Sequence, residues 1–412
     1  MNRRAPTATH AALGSVVFDG DCMLFGGRRL TELASEVGST PFYAYDRRAI
    51  AARVAQLRAC LPTALRLHYA MKANPMPAVV AQMVTLVDGL DVASAGELEV
   101  ALASGAAAAT ISFAGPGKSS LDLQRALQTG VTVNLESAGE LRRLAALAAS
   151  SGRRARAAIR VNPDFEHKAS GMKMAGGAKQ FGVDAEIVPE LLAAFPSAHV
   201  DFVGFHIFSG SQNLSADAIV ESQNKTLELA IRLAEAAPAP VRTLNIGGGF
   251  GIPYFPNDEP LDLEPIGRNL GALVERAARM LPGAEIVLEL GRYLVGEAGI
   301  YVCRVVDRKV SRGQVFLVTD GGLHQHLAAS GNFGQVLRKN YPVLVATKGR
   351  AAREIASVVG PLCTPLDLLA DRVDLAVAAE GDLVVILQSG AYGLTASPIG
   401  FLSHPAPREV LV

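Results

Sequence analysis

Three stretches of this chain carry residue types that could do covalent chemistry. The first is LHYAMKANP, where Lys72 follows an apolar run. A lysine held at the end of such a run is partly desolvated, which lowers its pKa and frees the amine to form a Schiff base. The plain alternative is a lysine that lays its stem on apolar surface and keeps its ammonium in water. The second is NIGGGFG, where Gly247, Gly248 and Gly249 leave backbone N–H groups uncovered. With a helix following, an anion such as a phosphate could dock there, although a tight turn would also use glycine. The third is LELGRYL. Glu289 and Arg292 read either as a structural ion pair or as a carboxylate that holds a ring nitrogen of a bound group protonated, which makes that ring a stronger electron sink.

These residues share a position in the expected fold. From residue 65 onward, short β-branched or apolar runs alternate with segments rich in Ala, Leu, Glu and Arg, the mark of repeated βα units. The strands are expected at 65–71, 87–93, 110–115, 131–136, 157–162, 203–208, 242–248 and 285–290, with helices near 95–104, 119–129, 137–150, 215–236 and 264–281. Eight such units make a closed (β/α)8 barrel, whose active-site groups gather where strands end and βα loops begin. Lys72, Asp91, His206, Phe208, Ser211, the glycines and Glu289 all fall at such ends. After Arg292 the rhythm changes to β-rich runs (YVCRVVDRKV, QVFLVTD, YPVLVAT, EIASVVG, DLVVILQSG) without helical spacers. The expected fold class is α/β: a TIM barrel plus a C-terminal all-β domain, Greek-key or β-sandwich-like, that also takes up the N-terminal strands. The expected domains are 1–43, strands joining the β domain; 44–290, the barrel; and 291–412, the β domain.

Composition narrows the function classes. Of 412 residues, 50% are hydrophobic and 19% charged, with 39 basic and 39 acidic side chains in balance. A large core is available, and the lack of a basic excess argues against nucleic acid. Arg3 and Arg4, or Arg153, Arg154 and Arg156, are too few to make a basic stripe. Cys22, Cys60, Cys303 and Cys363 lie far apart with no CxxC pair, so neither a metal site nor a disulfide framework is expected. The N-terminal apolar stretch is broken by Gly14, Ser15 and Asp19 and makes a poor signal peptide. No apolar run reaches the ~20 residues of a membrane helix, so a soluble cytoplasmic protein is expected.

In order along the chain, YAMKAN, DVASAGELE (91–99), FAGPGKS (113–119), NLES (134–137), RVNP (160–163), GGGFG, ELGR, VVGPLC (358–363) and GAYG (390–393) resemble the motifs of the diaminopimelate, ornithine and arginine decarboxylases. These are fold-type III enzymes that use pyridoxal 5'-phosphate. The likeness runs from TPFYAYD (40–46) to HPAPREVLV (404–412). It implies that Lys72 carries the cofactor as a Schiff base and that Cys363 protonates the α-carbon once carbon dioxide leaves. It implies that Asp91, His206, Phe208, Ser211, Gly247, Gly248, Gly249, Glu289, Gly291, Arg292 and Tyr392 surround the cofactor, and that Arg292, Thr364 and Tyr392 face the substrate. It also implies a homodimer, with Lys72 and Cys363 of each site coming from different subunits. A thiol can serve as the acid if its pKa lies near working pH; a buried inert cysteine is the ordinary alternative.

The departures from the family pattern fall where substrate is read. Diaminopimelate decarboxylases follow the cysteine with Glu-Ser-Gly-Asp, whose Glu reads the distal amine; here the stretch is CTPLDLL, with Thr364 and Pro365. Their Arg-Pro-x-x-x-Tyr clamp for the distal carboxylate is replaced by HLAASGNFGQVLRKNYP (326–342). The usual His-Ile-Gly-Ser becomes Phe208-Ser209-Gly210-Ser211, with His206 two residues earlier; a phenyl ring stacks but moves no proton. A pocket without a countercharge disfavours a charged distal group by several kcal/mol. The chain is more similar to the subgroup associated with exosortase-type loci and with aminoacyl groups on carrier proteins, where a thioester removes the distal carboxylate. Arg338 and Lys339 would then meet a pantetheine phosphate or an acidic carrier helix, or simply be solvated surface. Free diaminopimelate or another basic amino acid is the alternative substrate. A racemase, which places Arg at the pyridine nitrogen, is disfavoured by Glu289. A non-catalytic binding homologue is disfavoured by the presence of both Lys72 and Cys363. The glycine-containing segment 162–183 reads as a mobile cover or as part of a dimer interface.

Overall fold

The structure, a computed structural model, describes residues 10–165, 172–173, 176–333, 335 and 338–412. Residues 166–171, 174 and 175 of the segment 162–183 therefore lie outside the described residues. The described residues divide into two compact units, one within 53–252 and 261–294 and one within 10–52, 253–260 and 295–412.

The first unit is the closed barrel. Its parallel strands are Arg66–Ala70, Gly89–Val92, Ile111–Phe113, Thr132–Leu135, Ala155–Asn162, Val200–Ile207, Thr243–Gly248 and Glu285–Leu290, with the last pairing back onto the first. A two-residue strand, Val183–Asp184, adds to Ala155–Asn162. Serines placed just after strand ends start the helices. Ser94, Ser119 and Ser137 accept hydrogen bonds from the N–H groups of Glu97, Asp122 and Glu140, three residues on, and Ser119 with Asp122 forms a full capping box. Strand periodicity of two then sorts the side chains. Along the first strand Leu67 and Tyr69 are fully buried, whereas Arg66 and His68 line the lumen. Unlike the apolar filling usual for such barrels, this lumen is polar.

The second unit is built on an eight-stranded sheet. Its main path runs Val343–Val345, Leu383–Ile386, Gly299–Ser311, Gln314–Thr319, Arg353–Val359, Leu368–Ala376, and Phe42–Tyr45 joins it beside Gly299–Ser311, with Arg408–Leu411 outside that. The 13-residue strand Gly299–Ser311 serves two sets of neighbours. Its first half pairs with Phe42–Tyr45 and Leu383–Ile386, and its second half turns through Arg312 and Gly313, both at positive φ, onto Gln314–Thr319.

The N-terminal region differs in detail from the expectation of strands alone. Phe18–Asp19, Cys22–Phe25 and Arg28–Arg29 form a small sheet of their own, and Leu30–Val37 is a helix closed by Gly38 in the left-handed conformation. Leu30, Leu33, Ala34 and Val37 repeat at helical spacing and share one apolar core with Cys22, Met23, Phe42, Ile300, Val302 and Val385. Among the described residues no helix is long and apolar enough to cross a membrane.

Two buried polar groups hold the second unit's irregular segments. Asp367, 3% exposed, accepts the N–H of Leu323 at 2.7 Å and of Leu362 at 2.8 Å. His326 accepts the N–H of Ala329 on Nδ1 at 3.3 Å and places Nε2 2.8 Å from Ser389 Oγ, whose hydroxyl donates to the Ile386 carbonyl. This arrangement suits the neutral ring, and burial pushes its pKa down to about 3.

Two expectations follow. Asp367→Ala strands two buried N–H groups and should cost about 2–4 kcal/mol in denaturant unfolding, with Asp367→Asn costing less because its amide oxygen still accepts. For His326, the unfolded ring binds protons near pH 6.5 and the folded ring only near 3. Stability should therefore fall as pH drops below about 6.5, by up to about 1.4 kcal/mol per pH unit. His324, lowered to about 4, adds in the same direction. The slope of unfolding free energy between pH 7 and 4.5 should be shallower in His326→Gln.

Candidate active site

At the C-terminal end of the barrel strands, Lys72 sits on the short turn Met71–Ala73 directly after the first strand. Its Nζ lies 3.9 Å from Glu289 Oε1, and its side chain is 44% exposed. Glu289, 5% exposed, comes from the last strand, next to the first. His206 Nε2 approaches its other oxygen at 3.1 Å, and Asn245 Nδ2 donates to it at 3.3 Å. Burial by itself would push the Glu289 carboxyl up. The close approach of His206 and the charges of Lys72 and Arg160 outweigh it and hold Glu289 well below the usual carboxylate range. The mouth thus contains an amine and an ionised carboxylate within a few ångströms of each other.

Around this pair the backbone is bare. Gly247 and Gly249 have φ of +68° and +74°. A Cβ on Gly248 would lie 2.1 Å from the Glu289 carbonyl, and one on Gly249 2.1 Å from the Gly210 carbonyl. Only glycine passes here. The N–H of Gly247 is already donated to Asn245 Oδ1 at 2.8 Å. The helix that follows, expected at 264–281, begins at Leu263, so the glycine loop is separated from its N-terminus by residues 250–262. Phe208 presents its ring 5.7 Å from Lys72 Nζ, and Ser211 lies on the short strand Gly210–Ser211 that pairs with Met172–Lys173. An ionised carboxylate for a pyridine nitrogen, a lysine amine beside it, an aromatic face and a side-chain-free loop fit pyridoxal phosphate.

Other expected residues have different immediate partners. Asp91 is buried inside the barrel, accepts the Ser112 hydroxyl and faces His68 Nδ1 at 3.4 Å. Gly291 is hemmed by the Ala70 carbonyl and Ala73, and Arg292 opens the turn Arg292–Val295. The ion-pair distances of Glu289 run to Lys72 and His206. In the second unit Cys363 is exposed in the turn held by Asp367. Thr364 Oγ1 accepts the N–H of Leu366. Tyr392 has φ of +52° and lies 6.3 Å ring to ring from Phe333. Arg338 donates to the carbonyls of Ser330 and Leu368, and Lys339 lies over the Phe255 ring.

Several residues of the mouth were passed over as individual candidates. Arg160 pairs with Glu136 at 2.8 Å, and Glu136 also accepts the N–H groups of Gly115 and Gly182. Lys118, 1% exposed, pairs with Glu140 at 3.1 Å and donates to the carbonyls of Gly115 and Asn134. These charges lock together the stretches FAGPGKS, NLES and RVNP. The available signal was one charged residue at each of those strand ends; which charge meets which is a matter of barrel geometry.

Residues 47–296 match the family described as pyridoxal-dependent decarboxylase, pyridoxal binding domain. The chain is 39% identical over 379 residues to L-glutamyl-[BtrI acyl-carrier protein] decarboxylase of Niallia circulans, covering 90% of this chain and 88% of that one. It is 32% identical over 397 residues to diaminopimelate decarboxylase of Aquifex aeolicus, covering 96% and 91%. Its fold superposes on the crystal structure of diaminopimelate decarboxylase from Helicobacter pylori complexed with L-lysine with a TM-score of 0.82, at 27% identity over 93% of this chain and 94% of that one. With the carboxylate, lysine and glycine loop in place, the chain belongs to the pyridoxal-dependent decarboxylases: it uses pyridoxal phosphate to remove a carboxylate from an amino-acid-like group.

Proposed function

We propose that the substrate is an aminoacyl group tethered to an acyl-carrier protein, with glutamyl as the first candidate, and that the working form is a homodimer in which Cys363 of one subunit serves Lys72 of the other. One observation carries the substrate reading. The acidic residue of the CTPLD turn, Asp367, is turned inward with both oxygens spent on the N–H groups of Leu323 and Leu362, so that turn offers no carboxylate to a distal ammonium. Thr364 and Pro365 stand where diaminopimelate decarboxylases have their amine reader. The 39% identity to the L-glutamyl carrier-protein decarboxylase supports the same reading. Arg338 already donates to two carbonyls and so holds its own unit together rather than meeting a carrier.

Pyridoxal phosphate, when bound, accepts the electron pair released as the carbon–carboxylate bond breaks. The chain's residues supply the rest. Lys72 would hold the cofactor through its amine. Glu289, kept ionised in the barrel, would hold a proton on the ring nitrogen, and His206 and Asn245 fix the carboxylate's orientation. Phe208 offers a flat apolar face and moves no proton. Cys363 Sγ would deliver the proton that replaces the carboxylate.

The test is an absorption spectrum of the purified protein followed by a carbon-dioxide release assay. A visible cofactor band that borohydride abolishes and that Lys72→Ala lacks is expected, together with release from carrier-bound glutamate and not from free glutamate, diaminopimelate, lysine or ornithine. Turnover of a free diamino acid at comparable kcat/KM would overturn the tethered-substrate reading. Glu289→Gln should bind the cofactor yet lose about 100-fold or more in kcat/KM, and Cys363→Ala about 100-fold or more in product formation.

A further inference from the structure

His68 lies inside the barrel directly opposite Glu289 on the neighbouring strand, the two being register partners. With a side-chain period of two, both point into the lumen. On its other side His68 pairs with Gly89, where a Cβ would come within 2.4 Å of His68 Nε2. The absence of a side chain at Gly89 is what leaves room for the imidazole there. Its Nδ1 faces Asp91 Oδ2 at 3.4 Å, and Asp91 in turn accepts the Ser112 hydroxyl, to which Asn134 Nδ2 donates at 3.2 Å. Neither His68 Nδ1 nor Asp91 Oδ2 makes a well-formed hydrogen bond among the described residues. His68 also lines a cavity of about 260 Å³ at the N-terminal end of the strands, rimmed by Arg66, Arg156, Asp88 and Glu285. A polar cavity of that size holds water.

We propose that His68 is a positioning residue for the reaction: an imidazolium, held by Asp91 and fed with protons through the floor of the barrel, that supports the ionised form of Glu289 from beneath. The reading of Glu289 as the cofactor's partner underlies this. The groups facing His68 are Asp91 and Glu289 on the flanking strands and Asp88 before the second strand. Burial opposes its charge, and these three anions outweigh that and raise its pKa. Arg66, on its own strand, lies within reach of Asp88 and Glu285. The coupling is reciprocal: what Glu289 gives to the proton on His68, that proton returns to the carboxylate.

The experiment follows histidine ring resonances of the cofactor-loaded protein through a pH titration, with the His68 signal assigned by its loss in His68→Gln. In Glu289→Gln the His68 midpoint should fall by about one pH unit. The alkaline limb of kcat/KM should coincide with that midpoint in the unmodified protein and be missing in His68→Gln. Asp91→Asn keeps the imidazole in place and should move midpoint and limb to lower pH together, which preserves the test if His68→Gln fails to fold. A midpoint indifferent to Glu289→Gln, or a limb that stays put while the midpoint moves, overturns the inference. Because the titration reads the ring directly, it stands apart from the choice between tethered and free substrates.

Discussion

A carboxylate buried inside a protein is costly unless other groups replace the water it has lost, and the barrel is organised around meeting that demand at Glu289. Lys72, His206 and Asn245 reach it from three other βα units, and Arg160 adds its charge from a fourth. The strand ends must keep their register for these contacts to form. The lumen is correspondingly polar, and the layer beneath continues with His68, Asp91, Ser112 and Asn134. A second set of buried charges, Arg160 with Glu136 and Lys118 with Glu140, ties the third, fourth and fifth strand ends together.

The β unit applies the same economy to shape a turn. Asp367 would be a candidate substrate reader if it faced outward, but its two oxygens are bound to backbone N–H groups. Its charge is used to fold the stretch that carries Cys363 and Thr364. His326 does the same for the segment near Ser389, where a neutral ring accepts on one nitrogen and meets a hydroxyl on the other. On the proposed function, the absence of an exposed carboxylate in this turn would be how the site disfavours a charged distal group.

Much of the architecture was legible along the chain because local rules and tertiary demands coincide. Each barrel strand is an apolar or β-branched run, and serine caps with an acidic residue three positions on mark helix starts at 94, 119 and 137. The helix Leu30–Val37 was obscured by the strand-like runs before it, even though its four buried residues have helical spacing. The helix after the glycine loop, expected at 264–281, is found at Leu263–Met280, because its apolar residues keep a clear helical period.

The sequence by itself determined the barrel, the β domain, the cofactor class and the list of strand-end residues, since strand periodicity, caps and ordered motifs are all local in the chain. Only the tertiary structure decided which of those residues meet. Asp91 turns to His68 and Ser112, Asp367 and Arg338 are occupied by backbone groups, and Glu289 is held ionised by residues brought from distant units. The reason is physical: whether a polar side chain serves chemistry or structure depends on the donors and acceptors that surround it after burial, and those come from parts of the chain that adjacency in sequence does not connect.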